Sequence, residues 1–186
     1  QNLQSQLESL KEQVKPHFLF NSLSTLIGLI DEDKERAKKF VEELAFVYRY
    51  LLQSSEKPLI PLSEELAFIK AYYFLLKTRF DERLLLDIYV GNEIAQQMIP
   101  PLTLQILLEN AVKHNIISQE TPLHIVISEV NSNKVVISNT LQRRAQSVVS
   151  TQTGLANLAA KYQLMQQPGP EIFETQDKFS VQITLL

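Results

Sequence analysis

The first thirty residues read as helix, yet they cannot carry one continuous apolar stripe. Leu3, Leu7, Leu10 and Val14 follow the i, i+4, i+7, i+11 spacing of a packed helical seam. Extending that stripe leads through His17, Asn21, Ser24 and Gly28, which are polar or small, while apolar character moves to Leu19, Leu23, Leu26 and Ile30. The switch falls at Pro16, whose ring removes an N–H and clashes with the carbonyl four residues back, a usual cause of a kink. The spacing therefore predicts a kinked helix that turns His17 and Asn21 off the core face.

Asp31-Glu32-Asp33 supplies a polar turn and an acidic start for a second helix over about Lys34–Gln53. Ala37, Phe40, Val41, Leu44, Val47, Tyr48 and Leu51 share its apolar side. Two amphipathic helices with a short turn make an antiparallel hairpin, which buries too little alone and predicts pairing with a second copy as a four-helix bundle. Ser54-Ser55-Glu56-Lys57-Pro58 reads as a linker and sets a domain boundary: 1–57 as the hairpin, 58–186 as a second domain. There, Ser63-Glu64-Glu65-Leu66 resembles a capping box opening a helix to about Phe80. Strand-like runs follow at Leu84–Val90, Leu123–Val130, Lys134–Ser138, Glu171–Thr175 and Phe179–Leu185, with helices over Leu102–His114 and Thr153–Met165. Helices covering one face of a mixed sheet make an α+β sandwich.

Composition excludes several classes. With no Cys there are no disulfides, thiolate metal sites or cysteine nucleophiles. No apolar run approaches the roughly 20 residues of a bilayer span, and a net charge of −3 argues against a general nucleic-acid footprint. The opening segment has neither signal-peptide nor transit-peptide character, and a first residue of Gln suggests a piece of a longer chain. Only four glycines occur in 186 residues, where about 7% is usual, so any phosphate-cradling loop must work with few.

Two clusters could carry chemistry. An exposed His17 with Asn21 one turn on is either surface or a nucleophile able to accept a phosphoryl group. On the helix near Leu104–Ala111, Glu109, Asn110 and Lys113 lie together: either a solvated face with a Glu109–Lys113 pair, or oxygens for Mg²⁺ and an ammonium for phosphate.

Taken in order, Pro16-His17-Phe18-Leu19-Phe20-Asn21, then Pro61-Leu62-Ser63-Glu64-Glu65-Leu66…Tyr72…Arg79-Phe80, then Pro100-Pro101-Leu102-Thr103-Leu104-Gln105…Glu109-Asn110-Ala111-Val112-Lys113-His114, then Thr153-Gly154-Leu155-Ala156-Asn157-Leu158 closely resemble the LytS-type sensor histidine kinases of bacteria. The resemblance runs from about Leu10 to near the end. It implies a dimerising phosphoacceptor hairpin followed by a Bergerat-type ATP-binding domain. His17 is then the phosphoacceptor, with Asn21 beside it. Asn110 is the Mg²⁺ ligand, Glu109 the neighbouring acid, and Lys113 and His114 the phosphate side. Asn139 stands at the adenine position; Thr153, Gly154, Leu155 and Asn157 end the glycine-rich segment after a lid at Gln142–Gln152. The implied cofactors are ATP and Mg²⁺. The implied partners are a second copy and the receiver domain of a response regulator, without direct nucleic-acid contact. The implied location is the cytoplasmic portion of a bacterial inner-membrane protein, anchored only through an upstream segment.

Departures accompany the matches. The Asp-x-Gly adenine motif of such kinases becomes Asn139-Thr140-Leu141, and the glycine expected two places before Gly154 is Gln152. No acid follows His17, so Glu109 is the candidate base. An active kinase core that labels His17 is thus set against a degenerate kinase serving as a dimeric scaffold; a third class, other Bergerat ATPases, leaves the His17 hairpin without a role.

Overall fold

The computed structural model describes residues 16–54, 57–142 and 153–186. Two helices, α1 (Pro16–Glu32) and α2 (Lys34–Ser54), are joined through Asp33 alone. Asp33 makes the turn by capping α2: its Oδ1 accepts the Arg36 N–H at 3.0 Å and its carbonyl accepts the Ala37 N–H at 2.9 Å. The helices run antiparallel, for the Phe18 ring lies 6.2 Å from that of Tyr48 near the far end of α2. Residues 1–15, and with them the Leu3–Val14 seam, lie outside the described residues, as does most of the lid.

Beyond the hairpin come β1 (Ile60–Pro61), α3 (Leu62–Phe80), β2 (Leu84–Tyr89), the short α4 (Asn92–Ala95), β3 (Met98–Ile99), α5 (Thr103–His114), β4 (Leu123–Asn131), β5 (Lys134–Thr140), α6 (Thr153–Leu164), β6 (Glu171–Glu174) and β7 (Lys178–Thr184). The main sheet has the order β2-β4-β5-β7-β6; β2 and β4 are parallel, the other pairs antiparallel, and β1 with β3 forms a separate two-stranded ladder. Alternation sorts the sheet's faces: Leu123, Ile125 and Ile127 of β4, Val135 and Ile137 of β5, and Val181 and Ile183 of β7 are buried. Against them pack α3, α5 and α6. The expected α+β sandwich is present, and from Lys34 on the longer predicted elements fall within two residues of the observed ones at each end; the start of the first predicted helix lies outside the described residues. The short α4 and the β1–β3 ladder went unforeseen because they are too short to show a period.

Two expectations change. On α1 the residues packed within the chain are Phe18, Ser22, Leu26 and Leu29, while Leu23 and Ile30 of the predicted stripe are exposed. They join Phe20 and Ile27, which are 67% and 68% exposed, in an outward apolar row. The second change concerns Glu65: α3 has Pro61 at its N-cap and no side-chain cap. Glu65 turns away from its own helix start, into the core.

The hairpin packs on α3, not apart from it. Phe40, Leu44, Val47 and Leu51 of α2 belong to the same core as Phe68, Ile69 and Leu75 of α3. Tyr50 stacks on Phe68 at 4.3 Å, and the Lys39 ammonium lies 4.8 Å from the Phe74 ring centre.

Candidate functional site

His17 is exposed on α1, and the Asn21 amide one turn on lies 3.2 Å from Nδ1 and 3.4 Å from Nε2. Placed so, Asn21 can fix the ring's orientation while leaving its outer edge to solvent. The adjacent Phe18 turns inward, 5.1 Å from the Tyr72 ring.

The Pro100-Pro101 pair leads into α5, which forms the wall of the second cluster. Leu102 takes the left-handed conformation, φ 68° and ψ 10°, a costly setting for a branched side chain, and offers α5 no cap of its own. Glu65 supplies one from 37 residues back: Oε1 accepts the Leu102 N–H at 2.6 Å and Oε2 accepts the Leu104 N–H at 2.9 Å. Tyr50 of the hairpin donates its hydroxyl to the same carboxylate. Burial pushes the Glu65 carboxyl above the usual carboxylate range, against the pull of those three donors and of the Lys161 charge.

Leu104, Leu107, Leu108 and Ala111 bury one side of α5, leaving Glu109, Asn110 and His114 half-buried and Lys113 exposed. Glu109 Oε1 accepts the Tyr72 hydroxyl at 2.7 Å and the Gln105 amide at 3.0 Å. At the far end of α5, the buried Asn115 donates to the Ala111 carbonyl at 2.8 Å and accepts the Gln142 N–H at 2.7 Å, and Ile116 N–H reaches the Gln142 carbonyl. Asn115 so pins the chain as it leaves β5, a role that spacing did not suggest.

Asn139 is buried near the end of β5, and its Nδ2 donates to the Thr140 carbonyl at 2.7 Å. With the amino group engaged there, Oδ1 is the side-chain atom left to act as an acceptor. Leu155 is half-buried against the core and Asn157 exposed on α6; the Thr153 side chain lies outside the described residues. A Cβ on Gly154 would come within 3.0 Å of Ile106 Cγ2. None of the four glycines has a positive φ, so Gly154 is there to let α6 approach α5 closely. Helix α5, with Glu109, Asn110, Lys113 and His114, is in contact with β5, which carries Asn139, and with α6, where Gly154 abuts Ile106. Phe18, next to His17, packs on Tyr72, whose hydroxyl donates to Glu109.

No group of three or more His, Cys, Asp or Glu that could hold a metal occurs among the described residues. An Asn110 oxygen alone suits Mg²⁺ when phosphate oxygens and water complete the shell, since that ion is bound through few protein oxygens plus substrate phosphates. The donor chemistry therefore fits Mg²⁺ held with a nucleotide. Among the described residues no helix is long and apolar enough to cross a membrane.

Residues 5–84 match the family model described as histidine kinase. The sensor histidine kinase/phosphatase LytS of Staphylococcus aureus is 31% identical over 144 residues, which is 77% of this chain and 25% of that protein. The sensor protein LytS of Bacillus cereus is 36% identical over 110 residues, 59% of this chain and 19% of that protein. The chain spans about a quarter or less of the length of these relatives. Among solved structures, the Acinetobacter baumannii histidine kinase AdeS aligns over 90% of this chain and 95% of its own, with a TM-score of 0.46 and 15% identity.

Proposed function

The chain belongs to the LytS-type sensor histidine kinases, and on that premise we propose that it is a kinase core that autophosphorylates His17 from Mg-ATP and passes the phosphoryl group to an Asp of a response regulator receiver domain. The observation that carries this reading is the link from acceptor to α5: Phe18, next to His17, packs on Tyr72, whose hydroxyl holds Glu109, one residue before Asn110.

In this reading the unprotonated ring nitrogen of His17 attacks the γ-phosphorus. An N–P bond forms, the bond to the bridging oxygen breaks, and ADP leaves with that electron pair. The proton on the other ring nitrogen is given up to Glu109, the candidate base, while Asn21 keeps the ring oriented. Asn110 would hold Mg²⁺ through its amide oxygen, and the ion would supply neutralisation of the phosphate charge. Lys113 and His114 face the phosphates, and the start of α6 at Thr153, Gly154 and Leu155 offers backbone N–H groups to them, with Asn157 a turn further on. Asn139 accepts from the adenine amino group. Dependence on ATP places this portion in the cytoplasm.

A second copy covers the α1 row of Phe20, Leu23, Ile27 and Ile30, completing a four-helix bundle. Residues 1–57 then act as the dimerising and acceptor unit and 58–186 as the ATP-binding unit.

Incubating the 186-residue chain with γ-labelled ATP and Mg²⁺ tests the reading. Label is expected on the wild type and absent from His17→Ala; equal labelling of the two would remove His17 as acceptor. Asn110→Ala should lose Mg²⁺-dependent labelling yet stay dimeric, and an unchanged rate would take the metal role from Asn110.

A further inference from the structure

Glu65 and Tyr72 lie seven residues apart on α3, two turns along one face, and both reach across to α5. Glu65 holds the start of α5, while Tyr72 holds Glu109 in its middle. Tyr72 is buried, with Phe68 at 5.8 Å and Phe18 at 5.1 Å from its ring. Packed between neighbours, a tyrosine ring has only two torsions, and its hydroxyl sits at a fixed distance from the backbone. Its position is therefore set by α3 and by the acceptor helix that supplies Phe18. A phenylalanine would fill the same core space without burying a hydroxyl that must find a partner. What the hydroxyl adds is a second donor on Glu109 Oε1, beside Gln105.

We propose that Tyr72 is a positioning residue for phosphoryl transfer: its hydroxyl orients Glu109, and its ring, seated on Phe18, keeps that carboxylate in register with the helix bearing His17. This rests on the reading of Glu109 as the base for His17. It means that displacing the acceptor helix from α3 loosens the Tyr72 ring and its hold on Glu109, so that chemistry and hairpin position are coupled without any change in nucleotide binding.

The test is a double-mutant cycle on the full 186-residue chain, comparing wild type, Tyr72→Phe, Glu109→Gln and the double variant. The His17 labelling rate is read at saturating Mg-ATP, and nucleotide affinity by calorimetry. Tyr72→Phe keeps the ring and the packing; it should slow labelling about 10-fold, the scale of one hydrogen bond to a charged group, with Mg-ATP affinity unchanged. In the Glu109→Gln background the same substitution should add little, because its effect runs through the carboxylate. Phe18→Leu, which loosens the stack but leaves the hydroxyl, should slow labelling with affinity retained. The proposal is overturned by Tyr72→Phe labelling at the wild-type rate, by a matching fall in Mg-ATP affinity, by an undiminished effect of Tyr72→Phe when Glu109 is Gln, or by Phe18→Leu labelling as fast as wild type. A wild type that does not label His17 would defeat the kinase reading itself, whatever Tyr72 does.

Discussion

Both oxygens of Glu65 accept hydrogen bonds, from Tyr50 and the Leu102 N–H on one side and the Leu104 N–H on the other. Glu65→Gln must therefore turn its amino group toward a donor, and the variant should lose about 2–3 kcal/mol of stability in denaturant unfolding, with Tyr50→Phe losing about 1 kcal/mol. A loss no larger than that of an ordinary surface change would show that α5 does not depend on this cap. Local sequence misread Glu65 because Ser63-Glu64-Glu65 has the form of a start signal for its own helix, whereas its partner is a helix start nearly forty residues later. Gly154 was legible as a required glycine, and packing against Ile106 adds a requirement that the motif alone does not show: a phosphate loop and a close helix crossing both ask for a missing side chain. By contrast the exposure of His17 on α1 was legible, because the shift of the apolar stripe at Pro16 turns that position off the packed side; for Glu109 and Asn110 spacing alone does not separate a solvated face from a site, and only the motif does.

At the scale of elements, α1 has two apolar sides and the sequence period alone does not say which is used at home. Phe18 and Leu29 pack within the chain, while Phe20, Leu23, Ile27 and Ile30 face outward with the i, i+3, i+7, i+10 spacing of a coiled-coil seam. Since Ile27 is 68% exposed in the single chain, Ile27→Glu should leave the fold intact and shift the protein from dimer to monomer in light scattering after gel filtration. A dimer of wild-type stability would move the interface elsewhere. The five strands of the main sheet and α5 were legible to within a residue or two because β-branched runs bounded by Asn131-Ser132-Asn133 and Pro168-Gly169-Pro170 leave few alternatives.

Over the whole molecule, burial raises the Tyr48 hydroxyl to about 12 and carries those of Tyr50, Tyr72 and Tyr162 upward as well, with Glu65 adding to Tyr50 and Tyr162 and Glu109 to Tyr72. Each is protonated when folded at a pH where the unfolded chain would ionise it. Their contribution to stability is therefore complete below about pH 10, the ordinary tyrosine value, and declines as pH rises past it. The expected result is a melting temperature that falls steeply above pH 10. A flat profile to pH 12 would mean that these hydroxyls are not held in the core.

Tyr48, Tyr50 and Tyr72 line the seam where the hairpin meets α3, making up half of the six tyrosines, and the chain has no tryptophan. The molecule's near-ultraviolet signal is thus weighted toward the interface whose movement, on the proposed reading, would separate His17 from Glu109. An unlabelled sample carries its own optical gauge of that movement, readable while nucleotide is added.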